Sequence, residues 1–274
     1  MVNWLSLFQN IAQEIHRAAA PLLGTEQANK RISHGAGGDV TKYIDSLAEK
    51  IVIHELQAEH VSCNLISEEC GVMKMGARTQ DFVVLDSIDG TTNATRDIPF
   101  VSTSIAHASG PSLSDVDVAL VKDLNRGVEF SACKGQHAFI DRMNTKERLT
   151  PSSTCTLEKA IVSIHLTPKG KIPMLINSLY SIVSQAYKIR NLGSTALEIC
   201  YVASGALDAF LDLGGIARVT DIAAGYLILK EAGGITATPF GVDFNLPLKV
   251  TARTSLIAVS NQKLLDELTD KLKR

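Results

Sequence analysis

Apolar residues recur at helical spacing near the start of the chain, where Trp4, Leu5, Phe8, Ile11, Ala12, Ile15, Ala19 and Leu22 share one face. That period predicts an amphipathic helix ending near Pro21 to Gly24. A glycine-rich break follows over residues 33–39 (SHGAGGD). A second helical face then runs through Ile44, Leu47, Ala48, Ile51, Val52 and Leu56. Asp39 stands just before it and reads either as its N-cap or as a functional carboxylate. Beyond this point the period shortens. Residues 64–67, 82–85, 101–108, 116–122, 127–133 and 137–140 read as strands separated by turn-like segments, among them KMGARTQ before Phe82. Two helices and then strands in succession predict an α+β half on a largely antiparallel sheet.

The pattern changes after Thr150-Pro151-Ser152-Ser153, the best place for a boundary between subdomains 1–150 and 151–274. Strands at 160–166, 187–190 and 206–212 now alternate with helices. One helix is expected over 171–186, with Pro173 in its first turn. The next covers ALEICYVAS, and the last begins at Ile222 and closes at Gly233-Gly234. Gly214-Gly215 reads as a turn. Strand–helix alternation of this kind marks an α/β half.

The most informative stretch is FVVLDSIDGTTN, Phe82 to Asn93. A buried strand delivers Asp86 and Asp89 into a Gly90-Thr91-Thr92 turn. Oxygen ligands and backbone N–H groups then meet at one point, which suits a hard cation and a phosphate. Asp39, Glu68 and Asp221 also stand at the ends of apolar elements or the starts of helices. Taken singly, Asp39 as a cap and Glu68 as a solvated loop residue are the simpler readings. If the five converge, their mutual repulsion calls for a divalent cation. Carboxylates and a carbonyl without a His/Cys cluster favour Mg²⁺ or Mn²⁺ over Zn²⁺. The seven histidines show no ligand spacing and read as ordinary.

Composition narrows the function further. The 274 residues are 45% hydrophobic and 20% charged, with a formal net charge of -2. This is an ordinary globular balance without the basic footprint of a nucleic-acid binder. No apolar run spans a bilayer, and the first twenty residues do not read as a signal peptide. Five scattered cysteines without Cys-x-x-Cys suggest reduced thiols in a cytoplasmic protein. The EF-hand, P-loop, GxSxG elbow and kinase patterns all fail on spacing. Water attack on a metal-bound phosphate is the chemistry left standing.

On these motifs the chain resembles the inositol monophosphatase superfamily of lithium-sensitive, Mg²⁺-dependent sugar phosphatases. The matching residues are Asp39-Val-Thr-Lys-Tyr-Ile-Asp45, Ser67-Glu68-Glu69, Asp86-Ser-Ile-Asp-Gly-Thr-Thr-Asn93, Ile98-Pro99-Phe100, Leu192-Gly193-Ser194, Glu198-Ile-Cys and Thr220-Asp-Ile-Ala-Ala-Gly225. Arg218-Val-Thr-Asp221 is more similar to the archaeal-type enzymes that also hydrolyse fructose 1,6-bisphosphate. Two departures stand out: Ser87 where the family usually has proline, and Thr220 where many relatives have tryptophan.

The resemblance implies a layered αβαβα sandwich and a homodimer. It implies one metal held by Glu68, Asp86 and the Ile88 carbonyl, a second held by Asp86, Asp89 and Asp221, and a weaker third near Glu68. Thr91, oriented by Asp39, would position the attacking water. The Gly90 and Thr91 N–H groups would hold phosphate. Gly193, Ser194 and Asp212 would read the alcohol. Lys188, Arg190 and Arg218 either bind a second phosphate or lie on a solvated edge. The glycine-rich loop from His34 to Gly38 would act as a lid carrying Asp39. Inositol monophosphate, fructose 1,6-bisphosphate or both are the expected substrates. The alternatives are hydrolysis of 3′-phosphoadenosine 5′-phosphate, or a regulatory protein that binds a partner on the same fold.

Overall fold

The computed structural model describes residues 2–77, 79–143, 145–166, 179–240 and 245–273. Strands β3 (Cys63–Ser67), β4 (Gly71–Met75), β5 (Phe82–Asp89), β6 (Ser102–Ala108), β7 (Val116–Asp123), β8 (Glu129–Cys133), β9 (Ala138–Arg142) and β10 (Thr145–Arg148) make one sheet in the order β10-β9-β8-β7-β6-β5-β3-β4. All its pairings are antiparallel except β3 with β5. A second sheet has the order β12-β11-β13-β15-β14, from β11 (Ile161–His165), β12 (Lys188–Arg190), β13 (Ala209–Arg218), β14 (Ile235–Ala237) and β15 (Arg253–Val259). Here β12, β11 and β13 run parallel, and β15 pairs antiparallel with β13 and β14.

Side-chain alternation along the strands gives each sheet two apolar faces. Helices α1 (Trp4–Ala19) and α2 (Tyr43–Ala58) cover one face of the first sheet, burying Phe8, Ile11, Ile44 and Val52 against Leu65, Leu85, Ile105 and Leu120. On the opposite face, Val84, Ala106, Val121 and Phe130 meet Leu197 of helix α4 (Thr195–Ala203) and Leu227 of helix α5 (Val219–Ala232). The same two helices pack on Phe210, Leu256 and Ala258 of the second sheet. The outer face of that sheet, with Val162, Leu211 and Ile257, is closed by Leu264, Leu265 and Leu268 of helix α6 (Gln262–Leu272). The layers are therefore α, β, α, β, α, as the resemblance implied. Helix α3 (Thr91–Ala94) is a single turn after β5.

The structure departs from the sequence expectations at identifiable places. The glycine-rich break is the tip of a hairpin, with β1 (Arg31–His34) antiparallel to β2 (Val40–Lys42). Every residue of β1 is exposed, so no apolar pattern marks it. Asp39 is not the cap of α2: Lys42 holds that position, and the Asp45 carboxylate accepts its N–H at 2.8 Å. Gly214-Gly215 does not turn the chain. Strand β13 continues through both glycines, with a break in its register against β15 between Asp212 and Ala217. The helix expected over 171–186 falls largely outside the described residues.

Candidate active site

Strand β5 ends in the first sheet's interior, and its last turn of sequence carries the chemistry. Asp86 and Asp89 are buried, and pairing with β6 is irregular between them. Ile88 donates its N–H to Asp86 Oδ1 at 3.2 Å, which aims that carboxylate along the turn. Glu68 arrives from the end of β3, and Asp221 from the first turn of α5. Carboxylate oxygens of Glu68, Asp86 and Asp221 all lie within 4.8 Å of one another. Asp89 faces the start of α4, accepting the Ser194 hydroxyl at 2.7 Å and the Ala196 N–H at 2.7 Å. It therefore caps a helix of the second half from a strand of the first.

Crowding these acids away from water favours their protonated forms. Burial, then repulsion from Asp221, pushes Asp89 up to about 7. Burial pushes Glu68 up to about 8, although Arg218 opposes the shift. Asp86 rises well above the usual carboxylate range, through burial and the charges of Asp89 and Glu68. Asp221 is raised by burial, with Arg218 opposing.

Gly90 makes the turn possible. Its φ of +95° is left-handed, and a Cβ there would sit 3.1 Å from both the Gly193 and the Phe100 carbonyl oxygens. Asn93 secures the same approach, donating to the Leu192 carbonyl at 2.8 Å and to the Phe100 carbonyl at 2.9 Å. Thr91 donates its hydroxyl to Asp45 Oδ1 at 2.9 Å, with the Ile88 carbonyl at 3.1 Å. The expected partner was Asp39, and this is corrected. The Asp39 side chain is 63% exposed on the hairpin and pairs with Arg218. Asp45 is buried on the inward face of α2, and burial raises it to about 7.

Arg218 bridges the two halves, contacting Asp39 and, at 2.7 Å, Glu68. Arg253 donates to the Gly37 carbonyl at 3.2 Å. Gly37 in turn donates its N–H to the Glu68 carbonyl at 2.7 Å, so the hairpin tip lies directly on the acidic cluster.

These groups surround a cleft of about 410 Å³. Asp39, Glu68, Asp86, Ile88, Asp89 and Asp221 line it, as do Gly90, Thr91, Gly193 and Arg218. Four expected substrate contacts are placed elsewhere among the described residues. Ser194 is buried and committed to Asp89 and Ser102. Asp212 is fully buried, one layer behind the wall. Lys188 and Arg190 lie on the exposed edge strand β12, and the Arg190 guanidinium is turned back onto the Ile189 carbonyl. Neither is among the residues that line the cleft.

The family model for the inositol monophosphatase family matches residues 4–273. The chain belongs to the inositol monophosphatase family. It is 36% identical over 278 residues to a fructose-1,6-bisphosphatase/inositol-1-monophosphatase of Methanothermobacter thermautotrophicus, covering 98% of this chain and 96% of the relative. It is 35% identical over 282 residues to a bifunctional NADP phosphatase/NAD kinase of Methanococcus maripaludis. That match covers 97% of this chain and 49% of the relative, so the chain spans about half the length of the bifunctional protein. A solved inositol monophosphatase–fructose 1,6-bisphosphatase superposes with a TM-score of 0.86 at 26% identity, covering 99% of this chain and all of the other.

Both departures from the family pattern are accommodated. The Ser87 hydroxyl donates to the Asp45 carbonyl at 3.3 Å, tying the turn to α2. Thr220 donates its hydroxyl to Asp221 Oδ1 at 2.9 Å. Sequence reasoning passed over Asp45, although it closes the Asp39–Asp45 motif, and His165, which lines the cleft from the end of β11.

Proposed function

We propose that the chain is a metal-dependent phosphomonoesterase that hydrolyses a small sugar or cyclitol phosphate. The observation that carries this reading is the convergence of Glu68, Asp86 and Asp221 within 4.8 Å beside the Gly90 turn and the Thr91–Asp45 pair. The residues present fit a hard divalent ion. The donor set is all oxygen, and burial has left its acids short of compensating charge. Glu68, Asp86, Asp221, the neighbouring Asp89 and the Ile88 carbonyl would hold one or two ions. Bound there, such an ion lowers the pKa of water and offsets the charge of the phosphate.

The rest of the work falls to the chain itself. Thr91 donates a hydrogen bond from its hydroxyl to Asp45, which leaves its oxygen lone pairs to accept from the attacking water. The Gly90 and Thr91 N–H groups would hold phosphate oxygens. Arg218 supplies a fixed positive charge at the rim, since burial opposes its charge but Glu68, Asp221 and Asp39 more than offset that.

The proposal extends to Mg²⁺ as the working ion, Mn²⁺ as a substitute, lithium inhibition, a homodimer and a cytoplasmic location. Family membership supports the ion and the assembly. The free thiols of Cys63, Cys70, Cys133, Cys155 and Cys200 support a reducing compartment. No described helix is long and apolar enough to cross a membrane. Among substrates, fructose 1,6-bisphosphate and inositol monophosphate are supported by the Methanothermobacter relative, and NADP by the Methanococcus one. The test is phosphate release from myo-inositol 1-phosphate, fructose 1,6-bisphosphate and NADP, with and without Mg²⁺. Release should require Mg²⁺ and collapse in Asp89→Asn. Full activity of that variant with metal removed would sink the mechanism.

A further inference from the structure

We propose that His165, braced by the buried Asp212, is a specificity-determining residue that reads a hydroxyl on the alcohol part of the substrate through its ring edge. This deepens the hydrolytic reading above and rests on it. Strands β11 and β13 are parallel neighbours, with His165 and Asp212 directly paired in register. The Asp212 side chain has no exposure. Its Oδ1 accepts the Gly214 N–H at 3.0 Å. Its Oδ2 has His165 Nδ1 at 3.3 Å and no further protein partner among the described residues. A buried carboxylate oxygen needs a donor, so the geometry assigns the His165 Nδ1 proton to Asp212.

That contact turns the opposite edge of the ring, with Nε2, away from the buried carboxylate. The His165 side chain is 31% exposed, and the residue lines the cleft. A hydroxyl suits Nε2 in either protonation state, because it can donate to a neutral ring or accept from a charged one. The Asp212 contact also raises the His165 pKa against the opposing effect of burial.

Position agrees with this role. Thr91 and Asp45, which hold the water, belong to the first half of the chain. In-line displacement sends the alcohol out on the side away from that water. His165 belongs to the wall contributed by the second half, with Gly193, Thr195, Arg218 and Asp221. Asp212 was the residue expected to read hydroxyls. Its burial makes it the brace and leaves the contact to His165.

The test compares myo-inositol 1-phosphate with p-nitrophenyl phosphate, which has no hydroxyls on its leaving group, both in Mg²⁺. In His165→Ala the ratio of kcat/KM for the inositol ester to that for the aryl ester should fall about tenfold, the loss of one net hydrogen bond. The change should lie mainly in KM for the inositol ester. His165→Gln, which keeps a polar end and protects the fold, should restore part of the ratio. Asp212→Asn should lower it by a smaller factor. An unchanged ratio in His165→Ala, or equal losses on both esters, would overturn the assignment. Absence of wild-type turnover on either ester would instead overturn the hydrolytic reading. Calorimetric binding of myo-inositol 1-phosphate with Mg²⁺ would then decide His165, since equal affinity in wild type and His165→Ala rejects it.

Discussion

Replacing Asp45 by asparagine tests the water-positioning pair most directly. In the native protein Asp45 Oδ2 accepts the Lys42 N–H at 2.8 Å and Oδ1 accepts the Thr91 hydroxyl at 2.9 Å. Asparagine has one acceptor oxygen. The backbone donor at the start of α2 will claim it, because a lost helix cap costs about 0.5–2 kcal/mol. The amide NH₂ then faces Thr91. The threonine hydroxyl must turn its proton to the Ile88 carbonyl, already 3.1 Å away, and accept from the amide. One of its two lone pairs is then taken by the amide and is no longer offered to water. A positioned proton acceptor contributes about 10²–10⁴-fold, or about 3–5 kcal/mol of barrier at 1.36 kcal/mol per decade. Steady-state phosphate release in saturating Mg²⁺ should therefore show kcat down by about that factor and KM little changed. Asp39→Asn, on an exposed hairpin, should lose only a few-fold. Equal losses in the two variants, or Asp45→Asn keeping a third of its kcat, would refute this account.

Three further outcomes are expected. Burial raises Glu68 to about 8 and Asp89 and Asp45 to about 7, so these acids hold protons in the fold that unfolded carboxylates release at about pH 4. The folded chain binds more protons across that window. In EDTA its Tm should therefore fall as pH rises from about 5 to about 8, and Mg²⁺ should flatten or reverse the slope, as differential scanning calorimetry will show. Gly90→Ala should cost about 1–3 kcal/mol in urea unfolding and slow phosphate release, because the new Cβ meets two carbonyl oxygens at a φ of +95°. Lys122 and Glu129 form a buried pair at 3.5 Å. Lys122→Met should destabilise by about 3–5 kcal/mol, with part of the loss recovered when Glu129→Gln is added.

The legible part of the site is the part whose residues adjoin in sequence. Asp86, Asp89, Gly90 and Thr91 occupy one strand end and turn, so a linear motif carries their geometry. The helices α1 and α2 were equally plain, since each buries one stripe. Asp39 precedes a three-residue strand and Asp45 lies in the first turn of the helix after it, and only the hairpin's path decides which of them reaches Thr91. His165 ends a strand whose central residues are buried on both faces, so no alternation shows where its ring points. Gly214-Gly215 resembled a turn because glycine marks both turns and strand irregularities. The exposed β1 carried no apolar signal at all. Asp212 failed for a different reason: depth behind a wall is a property of two neighbouring strands and is not written in either.

Helix α5 begins at the acidic cluster, runs beneath the first sheet and follows directly from a strand of the second. One continuous cluster of buried side chains joins residues of both sheets around it. A chain cut near residue 150 would leave each fragment with half a core and an incomplete set of acids. Such fragments should regain order only when mixed, and metal should strengthen their reassociation. A protein built this way is open to split-fragment complementation, and it resists the exchange of one half for that of a distant relative. Substrate preference can then change only residue by residue along the walls of the cleft.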